Sequence, residues 1–243
     1  MSAPQAYRGS ITREQWLVNE TRTVARLMLD EGIADTAGLV DAVVSANPFQ
    51  YPTERELKSI TRACARRLAA LSDDPQLRRR LVELIAHGTP DQIAQTNLYA
   101  MMRDNRIVWD FMTCVVARKL EALDPLLRRR EIADFVEGLR AQDGRAARWS
   151  DATANKVRQV LTACLERCGM YDRATERIAP PLLDLDLEAA IRATARPSCA
   201  GAPFCLGRSR RLLHGWILRF SPINTYMRSA DVLALWATPP LPP

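Results

Sequence analysis

The stretch ARWSDATANKVRQVLTACLERCGM, residues 147–170, decides how the chain is read. Ser150 stands where an N-cap belongs, because its hydroxyl can accept a backbone N–H that the first helical turn leaves unpartnered. Val157, Val160, Leu161, Cys164, Leu165 and Cys168 then recur at helical spacing and define a face to be buried. Gly169 stops the helix. Asp151, Ala152, Asn155, Lys156 and Gln159 begin the opposite face, with Arg158 flanking and Thr153 projecting towards the core side. Short polar side chains in the first two turns suit a helix that reaches base edges or phosphates in a duplex groove. Arg145 and Arg148, just before the cap, add positive charge beside a helix N-terminus, an end that itself favours anions. A solvated surface face has the same composition, so a packing helix and a recognition helix both fit the pattern.

Outward from this stretch, almost every segment reads as helix. Thr12 with Gln15 has capping-box spacing and is expected to open a helix to about Glu31, closed by Gly32. Trp16, Leu17, Val24, Leu27 and Met28 give it an apolar face; Glu20 also falls there, as a buried acid paired with an arginine or as a site residue. A second helix, about 35–46, stops at Asn47-Pro48, and Thr53 with Glu56 repeats the capping box for a third helix to about Leu71. Further helices are expected at roughly 75–86, 90–102, 104–123, 128–142 and 150–168, with Asp73-Asp74 beside Pro75 reading as a cap. No alternating run is long enough for a core strand, while short strands after Gly169 stay open. The expected fold class is all-α, a compact multi-helix protein of two small helical subdomains divided at LSDDP, 71–75. Residues 1–72 hold a helix-turn-helix-like pair, residues 73–195 a winged-helix-like element, and residues 196–243 an atypical, loosely ordered basic tail.

Two helices carry basic faces. In the third, Leu57, Ile60, Cys64, Leu68 and Leu71 make the core side, and Arg55, Ser59, Arg62 and Arg66 project opposite, with Lys58 at the edge. Glu54 and Glu56 lie off this stripe, and the preceding helix, the Asn-Pro turn and the basic helix resemble a helix-turn-helix. The second is helix 150–168. Helix 128–142, a turn, this helix and the polar loop of GMYDRATERIAPPLLD (169–184), with Arg173 and Arg177, follow the order of a winged helix-turn-helix, and a Pro-Pro anchored apolar segment ends it. The candidate DNA-binding residues are therefore Arg55, Lys58, Ser59, Arg62, Arg66, Arg145, Arg148, Ser150, Asn155, Lys156, Arg158 and Gln159.

Composition bounds the function classes. With 47% hydrophobic and 26% charged residues over 243 positions, the chain suits a globular protein rather than a disordered one. Its net charge of +6 is uneven: six arginines against Asp231 fall after residue 195, so residues 1–195 are close to neutral. Local patches, and not the overall charge, must carry a nucleic-acid reading. Only Lys58, Lys119 and Lys156 are lysines; the remaining basic residues are arginines, which suit bidentate phosphate contact. Cys64, Cys114, Cys164, Cys168, Cys199 and Cys205 form no CxxC pair and no His/Cys grouping, and read as small core residues in a reducing cytoplasm with no metal. No secretory signal opens the chain and no apolar run approaches the ~18 residues of a membrane span, so the expected location is cytoplasmic. With His87 and His214 as its histidines, and no phosphate loop, GxSxG or HExxH, the chain is expected to be no enzyme and to need no cofactor.

YRGSITREQWLVNETRTVARLML (7–29), NPFQYPTERELKSITRACARRLAAL (47–71) and RWSDATANKVRQVLTACLERCGM (148–170), in this order, resemble the BrxA family of bacteriophage-exclusion (BREX) systems. VWDFMTCVVARKL (108–120) and EIADFVEGL (131–139) fit between them, so the resemblance spans about residues 7–190. It implies a small, all-helical protein that binds double-stranded DNA in phage defence, beside a site-specific methyltransferase, an alkaline-phosphatase-like protein and an ATPase. Such proteins have also been described as inner-membrane proteins, for which this sequence offers no span, and a suggested relation to NusB-like folds keeps RNA binding as a minor alternative. The family pattern is expected to end soon after PPLLDLDLEAAIRA (180–193), which makes the arginine-rich remainder a departure from it. A non-catalytic accessory protein docking on duplex phosphates is the first expectation. A helical protein-protein adaptor without direct DNA contact is the rival, and salt dependence separates the two.

Overall fold

The structure, a computed structural model, describes residues 7–195, so the tail expected over 196–243 lies outside the described residues. Its helices are α1 (Val18–Asp30), α2 (Thr36–Ala46), α3 (Glu54–Ala70), α4 (Pro75–His87), α5 (Pro90–Asp104), α6 (Arg106–Phe111), α7 (Ala117–Glu121), α8 (Arg129–Gln142), α9 (Asp151–Arg167) and α10 (Leu185–Ala195). Short 3-10 turns, Gly9–Thr12 and Ala146–Arg148, precede α1 and α9. Strands β1 (Tyr171–Asp172) and β2 (Arg177–Ile178) pair antiparallel, Tyr171 opposite Ile178. The all-α expectation holds.

Most boundaries follow the caps. The Thr53 hydroxyl accepts from the Glu56 N–H at 3.2 Å, Asp74 accepts from Gln76 and Leu77, and Ser150 accepts from Thr153 at 3.2 Å. Asn47 ends α2 in the left-handed region, at φ 42°, and its side chain bonds both backbone groups of Tyr51, which folds the loop back into α3.

The core is continuous. α1 packs on α3, α4 and α5, α2 on α3, α8 on α9, and α10 on α4 and α5. Buried apolar side chains from Ile11 to Ile191 join one cluster. The 71–75 turn expected to divide two subdomains lies inside this packing: Leu71 is fully buried, and α1 and α3 before it pack against α4 and α5 after it.

Four expectations need correction. Thr12 opens no helix; it ends a 3-10 turn, and α1 starts only at Val18, after Leu17 at φ 42°. The cause is Arg67, 2% exposed, whose guanidinium donates to the backbone carbonyls of Glu14, Gln15 and Trp16, while Asn97 also donates to Trp16 at 2.8 Å. With those carbonyls taken, the 14–17 segment cannot wind. Glu20 is bonded not by an arginine but by the Tyr51 hydroxyl, at 2.6 Å. The helix expected over 104–123 is shorter, running from Arg106 to Glu121, and holds a π turn, Met112–Val116, where the Thr113 hydroxyl donates to the Trp109 carbonyl at 2.8 Å. Finally, the apolar segment after Pro180-Pro181 leads into a helix: Asp184 accepts the N–H groups of Asp186 and Leu187, and α10 buries Leu187, Ala190 and Ile191. Gln92 and Gln95 of α5 hold Asp184 in that position.

Candidate nucleic-acid interface

The α9 module is built from its core face outward. Ala154, Val157, Val160, Leu161, Cys164 and Leu165 are buried, and Cys168 is half-buried. This leaves Asn155 and Gln159 exposed and Lys156 and Arg158 half-exposed on the first two turns. Asn155 accepts a hydrogen bond from the Arg158 guanidinium, so these two side chains face outward as a pair. Arg145 and Arg148 are exposed ahead of the Ser150 cap. The turn into α9 is stitched from both sides: Asp143 accepts the N–H groups of Arg145 and Ala146, both at 2.9 Å, and Arg140 joins Asp151 at 2.9 Å and the Trp149 carbonyl. Those backbone bonds, with Arg106 and Arg145 nearby, hold the Asp143 carboxyl below its ordinary range against the opposing effect of burial. After α9 comes the β1–β2 hairpin, with Arg173 and Arg177 exposed. Residues 125–127 add to it: Leu127 N–H donates to the Glu176 carbonyl at 2.8 Å and Ile178 N–H to the Pro125 carbonyl at 2.7 Å. The two-stranded hairpin, edged by the Leu126–Arg177 bridge, thus packs beside α9.

The α3 stripe is shorter than its sequence suggests. Arg55, Ser59 and Arg62 are exposed, and neither arginine has an ion pair among the described residues. Lys58 is paired with Glu54 at 2.5 Å. Arg66 corrects the expectation of an open basic residue: its guanidinium reaches Asp104 at 2.8 Å and Glu14 at 2.5 Å. Burial opposes the charge on Arg66, but these two carboxylates outweigh it and hold its pKa above the ordinary value. Asp104 is the mirror image. Burial pushes its carboxyl up, and the bonds and charges of Arg66 and Arg8 bring it below the ordinary range. The loop joining α2 to α3 spans residues 47–53, longer than the three- or four-residue turn of a tight helix-turn-helix.

The BrxA family model matches residues 5–195. The chain belongs to the BrxA family. A relative described as "BREX protein BrxA", from Bacillus cereus (strain H3081.97), is 28% identical over 195 residues, covering 79% of this chain and 94% of its own length. An uncharacterized protein from Magnetospirillum magneticum, known as a crystal structure, superposes with a TM-score of 0.67 at 19% identity, over 88% of this chain and 98% of its own, and so shares the fold.

In this BrxA-family chain the residues that sequence reasoning missed lie at the N-terminus. Arg8 pairs with Asp104 at 3.0 Å, and Tyr7 donates to Asp110 at 2.6 Å while stacking under Arg106. Such pairings join positions some hundred residues apart, and no local spacing announces them. Cys64 and Cys164 are the core thiols expected: burial pushes Cys64 up to about 11 and Cys164 up to about 12, which keeps both protonated and unreactive near neutral pH, whereas Cys114 is exposed and corrects that expectation. Among the described residues, no helix is long and apolar enough to cross a membrane.

Proposed function

We propose that this BrxA-family protein is a non-catalytic, cytoplasmic component of a BREX-type phage-defence system that binds double-stranded DNA mainly through phosphate contacts. The observation that carries the reading is the α9 module. One face of α9 is rooted in the core, its first two turns leave Asn155, Lys156, Arg158 and Gln159 open, and α8 precedes it while a hairpin follows. In a winged helix-turn-helix this order sends the N-terminal side chains of the second helix into the major groove. Arg158 can exchange Asn155 for a phosphate oxygen, and Arg145 and Arg148 stand where the backbone passes the helix start. The described relative supports placement in a BREX system, where the methyltransferase, the alkaline-phosphatase-like protein and the ATPase are the proposed partners. Specificity for sequence is left to those partners, since phosphate contacts position a protein without reading bases.

The test is binding to a labelled random-sequence duplex across a salt series. Lys156→Glu/Arg158→Glu should weaken binding and flatten the log–log salt slope by roughly 1.8, about 0.9 for each phosphate that is no longer neutralised. Unchanged affinity and slope in a folded variant would favour the adaptor reading instead. That reading has its own observation: Leu182 and Leu185, three residues apart, are 77% and 61% exposed, and Leu123 is 88% exposed.

A further inference from the structure

The two basic faces are far apart in sequence, yet one short segment packs against the helices that carry both. Gly9 packs so closely on the start of α9 that a Cβ there would lie 3.3 Å from Nε1 of Trp149 and 3.8 Å from Cγ2 of Thr153. Glu14, five residues later, holds Arg66 at the end of the α3 stripe, and its N–H donates to the Ser10 carbonyl at 2.9 Å. The five residue steps from Gly9 to Glu14 span at most about 18 Å, so the two backbone positions that make these contacts lie well within the ~34 Å of one duplex turn. Helix geometry then places the neighbours: Lys156 follows Thr153 by three residues, next to it on the solvent side of α9, and Arg62 precedes Arg66 by four, on the exposed side of α3. In the chain between Gly9 and Glu14 stands Arg13, exposed, with no side-chain partner among the described residues.

We propose that the basic faces of α3 and α9 are the two ends of one duplex-binding surface, joined by the N-terminal turn, with Arg13 as a phosphate contact in its middle. This rests on the DNA-binding reading and adds to it a single footprint and a residue that neither helix supplies. Arg8 and Arg66 converge on Asp104, which is 2% exposed, so swinging the turn away from α3 would strip a buried carboxylate of one of its two guanidinium partners and Arg66 of Glu14.

The experiment titrates a fluorescein-labelled, random-sequence duplex of about two helical turns with the full chain, over a range of salt, alongside Arg13→Glu, Arg62→Glu and Lys156→Glu. One joined surface gives one duplex per chain, and each variant flattens the salt slope by about 0.9. Two separate surfaces give two duplexes per chain at saturation, with Arg13→Glu indistinguishable from the unmodified chain; that overturns the joined surface and leaves DNA binding standing. Absence of any salt-dependent binding by the unmodified chain overturns both. Should Arg13→Glu lower the unfolding midpoint, Arg13→Ala replaces it, with the same flattening of the slope expected and an unchanged slope counting against the surface.

Discussion

Arg66 and Arg67 are sequence neighbours with opposite surroundings. Arg67 is sealed in the core and satisfied by backbone carbonyls alone; burial lowers its pKa, yet a guanidinium keeps its charge, and its removal would leave the Glu14 and Gln15 carbonyls short of a donor. Arg66 is half-exposed and answers to carboxylates. This decides how the α3 stripe should be tested: Arg66→Glu would set a third acid beside Glu14 and Asp104 and damage the fold, whereas Arg55 and Arg62 can be reversed from the surface. Asp104 also sets an acid limit on stability. Its folded pKa is depressed, so its contribution is complete above the unfolded carboxylate value of about 3.9 and is lost as pH falls through the lower folded value. Asp104→Asn should therefore lower stability at pH 7 and flatten the fall in stability below about pH 4, read from urea unfolding at both pH values. An acid limb as steep as that of the unmodified chain would mean that other carboxylates carry it.

At the scale of elements, the punctuation did most of the work. Thr53, Asp74, Ser150, Asn47 and Gly32 all stand at helix ends where the residue types place them, because a cap acts through its own neighbours and needs no knowledge of the rest of the chain. Ser150→Ala should cost about 1 kcal/mol in unfolding free energy by removing the acceptor for the Thr153 N–H; a loss of only a few tenths would mean that solvent replaces it. What the sequence hid is long-range. The capping-box spacing of Thr12 and Gln15 is genuine, but Arg67 and Asn97 claim the carbonyls beside it from 51 and 81 residues away. Asp184, Leu187 and Ile191 did carry a cap and a helical spacing, and Pro180-Pro181 drew attention from them. The candidate site divides the same way. Exposure of Arg55, Arg62, Asn155 and Gln159 follows from helical projection, while the capture of Arg66 depends on Glu14 and Asp104, which no periodicity within α3 can reveal.

Across the whole molecule, charge and fold are distributed differently. The continuous core and the family match both cover the helical body, whereas most of the +6 net charge lies after residue 195. A basic protein can bind DNA through charge alone, so the affinity of the full chain would not by itself implicate α3 or α9. The proposed binding belongs to the body, through arginines and lysines placed by capped helices that are rooted in the core. The most direct measurement is the salt dependence of binding to a random-sequence duplex, made on the full chain and on residues 1–195 alone. Equal slopes, with several phosphates neutralised in each case, are the predicted result. Binding that disappears without residues 196–243 would contradict it and assign the contact to the tail.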